Sequence, residues 1–219
     1  MYKMPIKRLW LIRVVTCIVI FFALLSSGYI LVNAVYIRTF VNGSSMYPTL
    51  NSNYESTGKC DIVYINRFAN TNINDIVVLD LRNHQNFKGY AIKRLIAKEG
   101  DVVNIVWDGG NQEYNVVVNG GVIYSKPYQQ GGYETYDNFK SNILDNNKYS
   151  QHIVRDEGNQ VLGFRIPQNQ VFVLGDNWNI SKDSSIYGAF AENSVVGKVD
   201  IVVRPNSIEI WQVIKNILK

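Results

Sequence analysis

The sequence is poor in the side chains that hold metals or form disulfides. Its 219 residues include two cysteines, Cys17 and Cys60, and two histidines, His84 and His152. Cys17 lies inside an apolar run and Cys60 far beyond it, so the two thiols have no reason to pair. These four residues offer no metal-ligand spacing, so neither a metal nor another cofactor is expected. Both histidines sit among Asn and Gln and read as solvated loop residues. Neither falls near a motif described below, which removes a Ser-His-Asp triad by inventory. Charge of one sign is also scarce, with 22 Lys+Arg against 18 Asp+Glu and a formal net charge of +4. Residues 1–38 hold Lys3, Lys7, Arg8, Arg13 and Arg38 and no acid, so the rest of the chain carries 4 − 5 = −1. A globular part at −1 has no electrostatic footprint for nucleic acid. At 47% hydrophobic and 18% charged, the chain is not a disordered one.

What the sequence does contain begins with a long apolar run. No charged residue occurs from Val14 to Ile37. A helix over these positions reaches roughly 36 Å at about 1.5 Å per residue, enough to cross a hydrocarbon core of about 30 Å. A cleavable secretory signal has a shorter apolar core, about 7–15 residues. Val32-Asn33-Ala34 has the look of a cleavage site, but the length favours an uncleaved signal anchor. Four cationic residues precede the run, and only Arg38 follows it before Glu55. That bias keeps residues 1–13 in the cytoplasm, 14–37 in the lipid bilayer, and the remainder on the extracellular side of the cell membrane.

Beyond the anchor the apolar runs have strand length. Residues 61–65, 75–81, 89–97 and 101–107 are such runs, separated by polar or Gly-containing turns. Residues 113–124 read as a hairpin with arms Val116–Val118 and Val122–Tyr124 around Asn119-Gly120-Gly121. Residues 125–160 are rich in Gly, Gln, Asn, Asp and Tyr and read as a polar excursion with little regular structure. Strand character returns at 161–167, 170–176 and 194–205, and residues 208–219 have the spacing of a short helix. The expected fold is mostly β, an N-terminal transmembrane helix followed by an all-β ectodomain. Its core is expected from 38–112 and 161–207, with 113–160 as hairpin and insertion.

Three segments carry the chemistry: NGSSMYPTL (42–50), YAIKRLIAKEGD (90–101) and VLGDNWNISKDSSIYG (173–188). In this order behind an anchor they resemble the type I signal peptidases, also called leader peptidases. The resemblance implies a signal-peptidase-like β domain and a Ser/Lys dyad. By motif position Ser45 matches the nucleophile and Lys93 the general base. Ser181 matches a hydroxyl that bonds the lysine amine, and Asp176 and Asp183 match the carboxylates of the third segment. Met46, Pro48 and Thr49 match the residues that shape the turn after the nucleophile. The implied substrates are secretory preproteins, cut after small residues in Ala-x-Ala-like sites, with the signal peptide added as a strand to a sheet edge.

The residues support that chemistry on their own terms. A serine hydroxyl attacks a peptide only when a base takes its proton. Lysine can be that base only when neutral, and burial lowers its pKa from about 10.4. Lys93 is flanked by Ile92, Leu95 and Ile96, and strand alternation turns Arg94 to the opposite face. Arg94 is then free to pair with Asp176. The backbone N–H of Ser45 is the natural oxyanion donor, because Gly43 supplies no hydroxyl two residues earlier. Two positions depart from the family pattern, where arginines stand in place of Trp178 and Ser185. The second loss leaves Asp183 without its partner, so Asp183 is expected to be exposed or paired differently, and an arginine at 185 to be tolerated. Two rival classes are a self-cleaving Ser/Lys repressor, which would lack the anchor, and a pseudopeptidase or specialised factor serving surface-protein or pilus assembly.

Overall fold

A computed structural model describes residues 6–128 and 132–205. The expected helix at 208–219 lies outside the described residues. Helix α1 spans Ile6–Val35, and its Trp10–Val35 stretch has a mean hydropathy of 2.4 with none of its apolar window buried. That helix is long and apolar enough to cross a membrane. It stops at Val35, two residues before the uncharged run ends, because Tyr36 and Ile37 already open strand β1 (Tyr36–Phe40). Aromatic and β-branched residues favour that switch.

The chain from Arg38 onward forms a separate compact unit built on two sheets. Its elements are α2 (Tyr54–Thr57), β2 (Ile62–Asn66), β3 (Ile76–Asp80), β4 (Tyr90–Lys98), β5 (Val102–Asp108), β6 (Glu113–Val118) and β7 (Gly121–Pro127). They continue with α3 (Gly132–Phe139), β8 (Ile153–Arg155), β9 (Val161–Arg165), β10 (Gln170–Leu174), α4 (Ser184–Tyr187), β11 (Phe190–Ala191) and β12 (Val195–Val203). One sheet has seven strands in the order β1-β2-β12-β3-β4-β10-β11, and the other has five in the order β7-β6-β5-β9-β8. The fold is mostly β, as the strand-length runs require.

The hairpin turn is tighter than the sequence implied. Asn119 and Gly120 both have positive φ, 51° and 83°, while Gly121 already belongs to β7. Two left-handed residues make the turn that matches strand twist. The expectation of little regular structure in 125–160 is corrected. Helix α3 runs into a π-helical turn at Lys140–Leu144, and a 3-10 segment at Asn147–His152 leads into β8. Few apolar residues are needed there because they are well spaced. Phe139 and Ile143, four apart on one helical face, are both fully buried against Phe164, Phe172 and Trp178. The histidines are corrected too. His84 is half-buried, with Phe87, Tyr187 and Phe190 around its ring at 5.3–5.7 Å centroid distances.

Candidate active site

Strand β4 lies between β3 and β10, and its alternation sorts Lys93 from Arg94. Ala91, Lys93 and Leu95 are buried, whereas Ile92 and Arg94 are half-exposed. Lys93 is 4% exposed and stands opposite Val77 of β3. Arg94 stands opposite Leu174, the last residue of β10, so the chain leaves that strand beside it. Two residues on, Asp176 meets it. The Arg94 guanidinium donates to Asp176 through Nε at 2.8 Å and Nη2 at 2.5 Å, a two-pronged pair that is largely buried. Such forked pairing is stronger and more directional than a lysine contact. Arg94 Nη1 also donates to Asn74 O at 2.7 Å.

The loop after β10 is folded back on itself by side chains. Asp183 is fully buried, and its Oδ2 accepts from Gly175 N at 2.9 Å. Its Oδ1 accepts from Ser185 N at 3.0 Å and Ser185 Oγ at 2.8 Å, which caps helix α4. Ser184 Oγ accepts from Val173 N at 3.0 Å and ties the same turn to β10. These bonds resolve the departure at position 185. Asp183 is neither exposed nor unpaired; three donors surround it, and Ser185 is one of its partners. The expectation that an arginine would fit there is corrected, because Ser185 is itself 1% exposed and its hydroxyl is committed.

The loop presents Ser181 to the lysine. Lys93 Nζ donates to Ser181 Oγ at 3.0 Å in a buried setting. Burial pushes the Lys93 amine below the ordinary lysine range, and the carboxylates of Asp183 and Asp176 partly oppose that. Arg94 neutralises Asp176, which weakens its pull on Lys93. Position 178 has become core. Trp178 is 1% exposed and packs on Tyr124 at 5.8 Å between ring centroids. Tyr124 carries Arg94 over its ring at 5.8 Å, and burial with the nearby Asp176 pushes its hydroxyl up to about 12.

Ser45 sits in the loop between β1 and α2, which is fastened from below. Val41, Met46 and Leu50 are buried in a cluster with Val63, Ile65, Val78 and Val199. Burying a methionine side chain contributes roughly 1.5–3 kcal/mol, and it fixes the residue beside Ser45. The loop is also tied from the side. Asn177 Nδ2 donates to Ser44 O at 3.1 Å, and Asn177 N donates to Ser45 O at 2.9 Å. Tyr47 N donates to Ser44 O at 3.0 Å as well. In a trans peptide the C=O and N–H point in opposite directions. Holding Ser44 O therefore aims the Ser45 N–H away from Asn177.

Gly175 is where the three segments meet. A Cβ on it would collide with the Ser181 side chain and with Ser45 O. The close approach is possible only with glycine. Lys93, Arg94, Asp176, Ser181 and Asp183 are thus assembled around one strand end, with the Ser45 backbone against it. Among the described residues no hydrogen bond joins the Ser45 hydroxyl to Lys93. Asn177, Gly175 and Tyr124 received no role from the sequence. The signal for the first two was their place in the Gly175-Asp176-Asn177 motif; Tyr124 gave none.

A half-exposed serine on a braced loop, a buried amine, a directed backbone N–H and no nearby histidine are the equipment of a hydrolase of the serine class. Comparison with known proteins agrees. The profile of the family described as "Signal peptidase, peptidase S26" matches residues 11–204. The chain is 32% identical to a signal peptidase I of Bacillus caldolyticus over 76% of this chain and 78% of that one. It is 28% identical to signal peptidase IB of Staphylococcus aureus over 90% of both chains. A solved signal peptidase I from Enterococcus faecalis V583 is 22% identical, covering 60% of this chain and 97% of that chain, with a TM-score of 0.35. The chain belongs to the signal peptidase family and is a serine endopeptidase. Removal of signal peptides is the activity that membership supports.

Proposed function

We propose that this protein cleaves secretory preproteins at the outer face of a membrane, with Ser45 as nucleophile and Lys93 as general base. The observation that carries the reading is the buried Lys93 amine held by Ser181. A neutral amine has two N–H bonds and one lone pair. Donation of one N–H to Ser181 limits rotation about Nζ and leaves the lone pair to take a proton. Ser45 Oγ attacks the scissile carbonyl as its proton passes to Lys93 Nζ. The oxyanion accepts from the Ser45 N–H. The Lys93 ammonium then returns the proton to the leaving amine, and the acyl group stays on Ser45. A water deprotonated by Lys93 releases it.

Burial supports the neutral amine, and Arg94 supports it by occupying Asp176. The N-terminus faces the cytoplasm, on the charge bias around residues 14–37. Seven residues separate Ile37 from Ser45, so the reaction takes place near the membrane surface, where signal peptides end. The cut follows small residues of an Ala-x-Ala type, with the substrate extended along a sheet edge. The test is cleavage of an Ala-x-Ala preprotein by the wild type and by Ser45→Ala. Equal cleavage by the two would reject Ser45. Protease added outside protoplasts should digest residues 39–219, and full protection would reverse the orientation.

A further inference from the structure

A second asparagine also holds the Ser45 loop, through carbonyls that Asn177 does not reach. Asn51 follows Leu50 in a left-handed conformation, φ 59°, and is 7% exposed. Its Nδ2 donates to Val41 O at 2.8 Å and to Gly43 O at 3.1 Å. Its Oδ1 accepts from Asp61 N at 2.8 Å, and its own N–H donates to Asp61 Oδ2 at 2.8 Å. Val41 N donates to Asp61 O at 2.9 Å. Both ends of the loop therefore converge on Asp61, which is fully buried. Arg204 reaches the same place, with Nη2 donating to Thr49 O at 3.3 Å and Nε 4.0 Å from Asp61 Oδ2.

We infer that the Asn51–Asp61 clasp positions the Ser45 loop for catalysis by fixing the peptide groups on which the Ser45 N–H depends; this rests on Ser45 being the nucleophile. The amide is used in full, with two donors and one acceptor engaged. Aspartate lacks the donors, and an apolar residue lacks everything but bulk, which Leu50 already supplies. Because C=O and N–H oppose each other in a trans peptide, the tie to Gly43 O sets the 43–44 plane. Asn177 sets the 44–45 plane. The two asparagines act in series on the oxyanion donor. Among the described residues, Asp61 Oδ1 is buried with no hydrogen-bond partner.

The test uses the full-length enzyme in detergent micelles and a preprotein substrate. Asn51→Gly keeps the left-handed backbone and deletes the tie. Asn51→Asp keeps the acceptor for Asp61 N and loses both donors. Each variant is expected to lower kcat about 10–100-fold, the scale of a misplaced reacting group. KM should stay within about threefold, and the midpoint of the acid limb of the pH profile should not move, since the surroundings of Lys93 are intact. A folded variant with kcat within twofold of wild type overturns the inference. So does an acid limb that moves with kcat, or failure of both variants to fold, which would make the clasp a purely structural element. Ser45→Ala is run in parallel. Its activity would remove the underlying reading, whereas an inactive Ser45→Ala beside fully active Asn51 variants removes only the clasp.

Discussion

Strand β4 and the loop at 175–188 hold the two halves of the proposed base apparatus by different means. In β4, Lys93 is placed by backbone pairing with Val77 of β3, by the pairing of the next residue, Arg94, with Leu174 of β10, and by apolar neighbours such as Leu95, which is fully buried. In the loop, Ser181 is placed by polar bonds: Asp183 to Gly175 and Ser185, and Ser184 to Val173. A strand position tolerates many sequences that keep the alternation. A loop position depends on particular donors and acceptors, each of which costs free energy when left unpaired in the interior. Core changes in β4 should therefore act on stability, and polar changes in the loop on turnover or on both.

The largest expected effect tests whether the two halves act as one device. Ser45→Ala and Lys93→Ala should each lower kcat at least about 10³-fold, and the double variant should be little worse, because members of one catalytic unit are not additive. Additive losses in single-turnover cleavage would break the unit apart.

Next in size is Ser185→Arg. A guanidinium placed in a fully packed position should destabilise the compact unit from Arg38 onward by about 3–5 kcal/mol, read as a denaturant midpoint. Wild-type stability would mean that the loop opens easily and is not held as described. The strand counterpart is Leu95→Ala, with an expected loss of about 2–5 kcal/mol from the cavity and lost burial. Its kcat per folded molecule should stay within about threefold. A large fall in kcat at full folding would erase the contrast between strand and loop.

The smallest effect is the most diagnostic for the loop. Ser181→Ala should lower kcat about 10–100-fold with little change in KM, because it frees the Lys93 amine to rotate without touching substrate. A change confined to KM would assign Ser181 to binding instead.

Legibility followed the same division. Lys93, Arg94 and the Arg94–Asp176 pair were readable because a strand has a period of two and motif spacing survives folding. Most strands were readable as apolar runs. Three were not: β1, β8 and β11 are edge strands, and β8 and β11 are only three and two residues long. The helical segment at 132–152 was hidden because its fully buried apolar residues, Phe139 and Ile143, stand in a polar background. Trp178 and Ser185 looked like losses against the family pattern. The structure shows one filling the core and the other bonding Asp183, contacts that depend on tertiary neighbours such as Tyr124. The clasp at Asn51 was invisible for the same reason, since nothing in an Asn at a loop end announces its carbonyl partners.

The central claim is that Lys93 is a neutral base at working pH, and its most direct test is kcat/KM for preprotein cleavage as a function of pH. Burial disfavours the ammonium, so the native pKa lies below the ordinary value of about 10.4. The protonated amine cannot accept the Ser45 proton, so activity is absent at low pH and rises as pH climbs through the lowered pKa. The account predicts a single rising limb with its midpoint clearly below about 10.4. A limb centred at or above that value, or a flat profile with chemistry rate-limiting, would contradict it.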